Sequence, residues 1–221
     1  MTHVAEVRLL KEFKDQQKEK WSHVELINDN IFEWSVALIV LNPDSLYYGG
    51  YFKARMTFPT NYPYSPPDFK FLRPLYHPNI HPTGKLCISI LHPPGSDAMS
   101  GELASERWSP VQSVEAVLLS IISLLDDAEV NSPANVDAGV MLRNAPEKYK
   151  ERVKRDTEES KRDIPEGFEM PGTEVFNKKM EVEGDDFMWA DSDVESFGSV
   201  DGEEEDGDGD GEEEDGSEEE N

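Results

Sequence analysis

Tyr76-His77-Pro78-Asn79-Ile80-His81-Pro82-Thr83-Gly84-Lys85-Leu86-Cys87-Ile88-Ser89-Ile90-Leu91 contains the only cysteine of the chain. One thiol cannot close an internal disulfide, so Cys87 is either a small buried apolar side chain or a reactive one. A thiol suits acyl transfer because it is both a nucleophile and a good leaving group. When an acyl group on it is attacked, the carbonyl oxygen becomes an oxyanion, and the carboxamide of Asn79 offers an N–H donor for it. Losing one such donor typically costs ~100–1000-fold in rate. His77, His81, Cys87 and His92 are also metal-ligand types within sixteen positions. None stands at the short paired spacing of zinc sites, such as Cys-x-x-Cys, so no metal is expected.

Upstream lies Pro59-Thr60-Asn61-Tyr62-Pro63-Tyr64-Ser65-Pro66-Pro67. Its four prolines fix φ and remove donors, which predicts a stiff extended loop. Before it, Trp21–Ile27, Ile31–Leu41 and Tyr51–Phe58 read as strands punctuated by Asn28-Asp29-Asn30 and Asn42-Pro43-Asp44. Asp68–Leu72 reads as a fourth strand, and the short turns predict an antiparallel meander. In the first segment, Val4 to about Lys20, residues Val7, Leu10, Lys11 and Phe13 recur near helical spacing. This is an amphipathic helix with a basic polar face of Arg8, Lys11, Lys14 and Lys18. Downstream, residues 73–110 show little periodicity, which in a compact domain points to function. Pro110 then opens an apolar helix, Val111–Leu125, followed by helices over Asn135–Leu142 and Pro146–Lys161, the last with few apolar anchors. The expected fold is α+β: a four-stranded antiparallel meander, an N-terminal helix and C-terminal helices in residues 1–165.

The His77-Pro78-Asn79 triplet separated from Cys87 by residues 80–86, the proline loop before it and Trp108-Ser109-Pro110 after it stand in one order and spacing. In this the chain resembles the ubiquitin-conjugating enzyme family, over about residues 5–165. The resemblance implies that Cys87 accepts ubiquitin as a thioester from the ubiquitin-activating enzyme and passes it to a lysine, with Asn79 stabilising the oxyanion. It implies that His77 holds the turn through backbone hydrogen bonds, with Tyr76 beside it supporting the site. Arg8, Lys11 and Lys14 would meet the activating enzyme and, partly overlapping, a RING domain, which Tyr64 and Pro110 would also touch. Read from the residues alone, Tyr64 is either an exposed anchor or packed on its own loop. No cofactor is implied, since ATP is used by the activating enzyme upstream.

Two departures refine the resemblance. Ser89 stands where many members have aspartate two positions after the cysteine, and Ser132 stands where many have an acid. About a dozen residues are also inserted within His92–Arg107, among them Asp97, Glu102 and Glu106. These features, with an acidic C-terminal tail, resemble the cell-division-cycle class that works with SCF-type cullin-RING ligases and builds degradation-signal chains. The inserted carboxylates are expected to orient or deprotonate the attacking lysine, provided they reach its proton. Against this, nearby carboxylates raise a lysine's pKa, and a plain solvated loop is the competing reading. Other readings are the endoplasmic-reticulum degradation class, an inactive ubiquitin-binding variant of the fold, and an acidic scaffold.

Charge is distributed unevenly. The formal net charge is −26, yet residues 181–221 hold 21 acids and no base. The remaining 26 acids and 21 bases leave residues 1–180 at −5. Nucleic-acid binding is disfavoured, because it needs cations to replace phosphate counterions. No run of about 18 apolar residues suggests a membrane span, and the charged N-terminus lacks the apolar core of a secretory signal. The expected location is cytoplasm and nucleus. Residues 166–221 are expected to be a disordered acidic tail, suited to steering association with a basic groove, by resemblance on a cullin.

Overall fold

A computed structural model describes residues 2–73, 75–95 and 101–173. Helix α1, Thr2–Gln16, leads into strands β1 (Ser22–Ile27), β2 (Asn30–Ile39), β3 (Tyr51–Thr57) and β4 (Asp68–Phe71). These form one antiparallel sheet in the order β1-β2-β3-β4. The β1–β2 turn places Asn28 and Asp29 at φ 53 and 57. Both residue types tolerate that left-handed geometry, whose twist matches the strands of a two-residue hairpin. Alternation then sends Trp34, Val36 and Leu38 of β2, Ala54 and Met56 of β3, and Phe69 and Phe71 of β4 into one core.

The helix stripe facing this core is not the one the sequence suggests. Ala5 and Leu9 are fully buried and Phe13 packs edge-on to Trp34 at 5.0 Å, while Val7 and Leu10 stay 55% and 47% exposed. The i, i+4 row through Ala5, Leu9 and Phe13 presents small and large side chains that fit the sheet, so α1 is rotated relative to the Val7–Leu10 reading. Arg8, assigned to the basic polar face, is turned onto the protein by the same rotation.

Helix α2 spans Val114–Asp126, and not from Val111 as the proline suggested. Ser113 caps it by accepting from Ala116 N–H, and the Glu12 carboxylate accepts from Val114 N–H at 2.8 Å. Pro110 and Val111 sit in the preceding turn, with Val111 86% exposed. The proline loop also departs from expectation. It folds into successive turns, with Tyr62 N–H donating to Pro59 O and Tyr64 N–H to Asn61 O, both at 2.9 Å, rather than running extended. Burial of Tyr62 and its hydroxyl bond to Glu12 hold it there.

Helices α3 (Val136–Asn144) and α4 (Pro146–Ser160) complete the fold. Asn135 caps α3 by accepting from Ala138 N–H, and α4 buries Tyr149, Val153, Thr157 and Ser160 along one row. Ile164, Phe168 and Met170, on either side of residue 165, lie against the core. Most of the expected tail, residues 174–221, lies outside the described residues, as does Asp97. No helix among the described residues is long and apolar enough to cross a membrane.

Candidate active site

The cysteine segment is held as a strand-like return against β4. Gly84 O accepts from Phe71 N–H at 2.9 Å, and isolated bridges pair Lys70 with Lys85 and Ile80 with Leu86. Gly84 has φ +87, and an added Cβ there would fall 2.1 Å from the Phe71 carbonyl oxygen. Only glycine permits both the turn and that close approach. Cys87 N–H then donates to Asn79 O at 2.9 Å, which fixes the thiol segment beside the triplet.

His77 is fully buried, and its Nδ1 accepts from Asn79 N–H at 3.0 Å. That bond places the imidazole proton on Nε2, which faces the last-turn carbonyls of Leu124 and Leu125 without a well-formed hydrogen bond. Burial pushes its pKa down to about 4, and those carbonyls only partly oppose the shift. At neutral pH His77 is therefore an uncharged holder of the turn. Asn79 is 3% exposed, with Nδ2 donating to Glu129 O at 3.0 Å and Oδ1 accepting from Glu129 N–H at 2.9 Å. Asn135 N–H donates to Pro78 O at 2.8 Å, tying the start of α3 to the same turn. Tyr76 is drawn elsewhere: its N–H donates to Asp156 of α4 at 3.1 Å, and Arg152 stacks 5.0 Å over its ring.

Cys87 is exposed on a ridge between two clefts. One, of about 430 Å³, brings together Asn79, Cys87, Ser89, Glu102, Glu106 and Ser132, with Glu129 and Leu124 in its walls. The other is lined by Asp68, His81, Lys85 and His92. Although the residue is exposed, partial desolvation beside the clefts pushes the Cys87 thiol pKa up, the Glu102 carboxylate pushes it the same way, and Lys85 opposes both. Among the described residues no three His, Cys, Asp or Glu side chains converge as a metal site requires.

Glu102 and Glu106 are held differently. The Glu102 carboxylate takes bonds from His92 Nδ1 at 2.9 Å and Arg107 Nε at 3.0 Å. Partial burial would raise its pKa, but these two partners outweigh that and hold it below the usual carboxylate range. Glu106 is exposed and caps its own turn by accepting from Leu103 N–H at 3.0 Å.

Of the expected partner residues, Lys11, Lys14, Tyr64 and Pro110 are exposed. Tyr64, at 63%, does not pack into its own loop. Arg8 is not a free surface cation. Its guanidinium bonds Glu12 at 2.6 Å, Pro110 O at 2.7 Å and Gln112 O at 2.6 Å, and lies 5.5 Å over the Tyr62 ring. Glu12 joins Arg8, the Tyr62 hydroxyl and Val114 N–H, so one Arg–Glu pair fastens α1 to both loops that present Tyr64 and Pro110. The i, i+4 spacing of Arg8 and Glu12 was a signal for that pair. Nothing in the sequence marked Glu129 as the partner of Asn79, because the two meet only through the fold.

The family model described as ubiquitin-conjugating enzyme matches residues 8–157. The "Ubiquitin-conjugating enzyme E2-34 kDa" of Saccharomyces cerevisiae is 51% identical over 199 residues, covering 86% of this chain and 67% of the yeast protein. "Ubiquitin-conjugating enzyme E2 7" of Arabidopsis thaliana is 48% identical over 158 residues, 70% of this chain and 95% of its own. "Ubiquitin-conjugating enzyme E2 15" of Schizosaccharomyces pombe is 47% identical over 154 residues, 68% and 92% respectively. With the family model spanning more than half of the chain and the helix-flanked meander in place, the chain belongs to the ubiquitin-conjugating enzyme family.

Proposed function

We propose that Cys87 is the thioester carrier of this enzyme, and that it works with cullin-RING ligases to build degradation-signal ubiquitin chains. The observation that carries the reading is the placement of the only thiol, exposed on a ridge beside the anchored Asn79. In charging, Cys87 Sγ attacks the thioester carbonyl on the activating enzyme. Its proton goes to the departing thiolate of that enzyme. In discharge, a lysine amine attacks the new thioester, the Cys87 thiolate leaves with the electron pair, and the amine's proton is released. A thiol shifted upward is a slower leaving group, which slows attack on the thioester by any nucleophile. The second N–H of Asn79, not used by Glu129, is free to serve the oxyanion.

Glu106, Ser89 and Ser132 line the cleft where an acceptor lysine approaches. Glu106 is the carboxylate suited to orient that lysine. Glu102, tied to His92 and Arg107, anchors the loop, and its lowered basicity makes it a poor proton acceptor. Lys11, Lys14, Tyr64 and Pro110 form the partner face, with Arg8 supporting it from beneath. The cullin-RING assignment rests on the acidic insertion, the serines at 89 and 132, and the acidic segment 181–221. Cytoplasm and nucleus are the compartments in which this chemistry is proposed to act, to be checked by imaging a tagged chain.

The test is a charging reaction with activating enzyme, ubiquitin and Mg-ATP on a non-reducing gel. A ubiquitin-sized shift that vanishes with thiol reductant and in Cys87→Ala is expected. A reductant-sensitive shift surviving Cys87→Ala would overturn the assignment. For the ligase, deleting residues 181–221 is expected to slow chain building with a cullin-RING ligase and to weaken its salt dependence. Unchanged rates at low and high salt would exclude the cullin reading.

A further inference from the structure

On the outer face of the sheet, a single cross-strand row runs Glu25–Ser35–Arg55–Lys70 and continues to Lys85. Residues paired in this way place their side chains on one face, with Cβ atoms about 4.5–5.5 Å apart. Arg55, Lys70 and Lys85 are all exposed, so three cations stand side by side, ending two residues before Cys87. Among the described residues none of the three forms an ion pair. Like charges directly opposite one another destabilise a sheet. An uncompensated row of cations in a chain of net charge −26 is a place for an anionic ligand.

The course of the chain after α4 indicates which ligand. Ser160 Oγ accepts from Tyr51 N–H at 3.0 Å, and Phe168 then stacks on His23 at 4.9 Å and meets Tyr51 at 5.6 Å. His23 lies two residues before Glu25, and Tyr51 four before Arg55, so both share the face that carries the cations. The chain is therefore led onto this face at Phe168, and the described part ends at Thr173, five residues later and three after the packed Met170. Four strand residues, Tyr51 to Arg55, correspond to about 13 Å at ~3.3 Å each. The 48 residues 174–221 span that many times over.

We propose that the acidic segment, residues 181–221, docks in cis on the Arg55–Lys70–Lys85 row. The tether raises the local concentration of its carboxylates to roughly millimolar, which a separate acidic protein does not match. Each surface ion pair is weak and screened by salt, so the dock holds through many exchangeable contacts. It remains open to displacement by a more basic groove. While docked, the segment neutralises Lys85, the cation that opposes the upward shift of the Cys87 thiol.

Spin labelling of the full chain tests this. Cys87→Ser with Ser192→Cys leaves one thiol for a nitroxide, and backbone amide signals report its approach. Selective broadening at Arg55, Lys70 and Lys85 is expected at about 20 mM salt and should be lost at about 500 mM, where the screening length falls to a few Å. It should also be lost when Arg55→Glu and Lys70→Glu are added. Absence of broadening at low salt, or broadening that leaves this row untouched, would overturn the proposal. So would equal broadening when the label and the isotope are on different molecules, which would place the dock between copies.

Discussion

Asn79 closes both ends of its carboxamide on the backbone of one residue, Glu129, at 3.0 and 2.9 Å. The amide is thereby fixed in one orientation, and the loop leading to α3 is fixed with it. A side chain so held can present its remaining N–H without reorganising during reaction, which is what makes an oxyanion donor effective.

Two effects of Asn79→Ala follow, and they separate. Charging of Cys87 should persist, while discharge to free lysine in a single turnover should fall by ~100–1000-fold. Loss of both Glu129 bonds should also cost about 1–3 kcal/mol in a urea melt. A stability loss without a discharge defect would assign Asn79 to the loop alone.

Glu12 should matter to stability more than its place on a surface helix suggests. Its carboxylate serves Arg8, the Tyr62 hydroxyl and Val114 N–H. Glu12→Ala is expected to cost about 2–3 kcal/mol, the scale of hydrogen bonds to a charged group. RING binding should weaken with it, because Tyr64 and Pro110 lose their common support. Urea melts and a RING titration check the two parts.

His77 gives the fold a pH dependence of definite sign. Its pKa is about 4 when folded, against about 6.5 when unfolded, so the unfolded chain binds the extra proton. Stability from this group is complete above about pH 6.5 and is lost as pH falls toward 4, on the order of 3 kcal/mol in all. Carboxylates titrate at the lower end of that window. The comparison is therefore with His77→Gln, whose stability between pH 6.5 and 5 should be flatter than that of the parent.

The thiol responds in opposite directions to its two charged neighbours. Glu102→Gln removes a charge that raises the Cys87 pKa and should speed alkylation at pH 8 by a few-fold. Lys85→Gln removes the opposing charge and should slow it. Equal rates in both variants would show that burial alone sets the thiol.

The meander and α3 were legible from the sequence because alternation, turn residues and helical spacing are local signals, although Asn135, read as the first helical residue, proves to be the cap. The orientation of α1 was not. Val7–Leu10 and Ala5–Leu9 are both acceptable apolar stripes, and only the sheet, through Trp34, selects between them. The start of α2 was misplaced for a related reason: Pro110 is a plausible first residue, but the cap is Ser113 together with Glu12, about a hundred residues earlier.

By itself the sequence determined the chemistry on offer: one thiol, an asparagine at a fixed gap, a serine and carboxylate setting in place of aspartate, and a tail of one charge. These are properties of residue type and spacing, which a linear chain states completely. Tertiary structure decided which groups are available to act. It turned Arg8 from a surface cation into a strut, tied Glu102 to His92 and Arg107 while leaving Glu106 exposed with a bond from Leu103 N–H, and set Arg55, Lys70 and Lys85 in one row. The physical reason is that hydrogen bonds and burial form between residues far apart in the chain, and a side chain's reactivity depends on those partners as much as on its type.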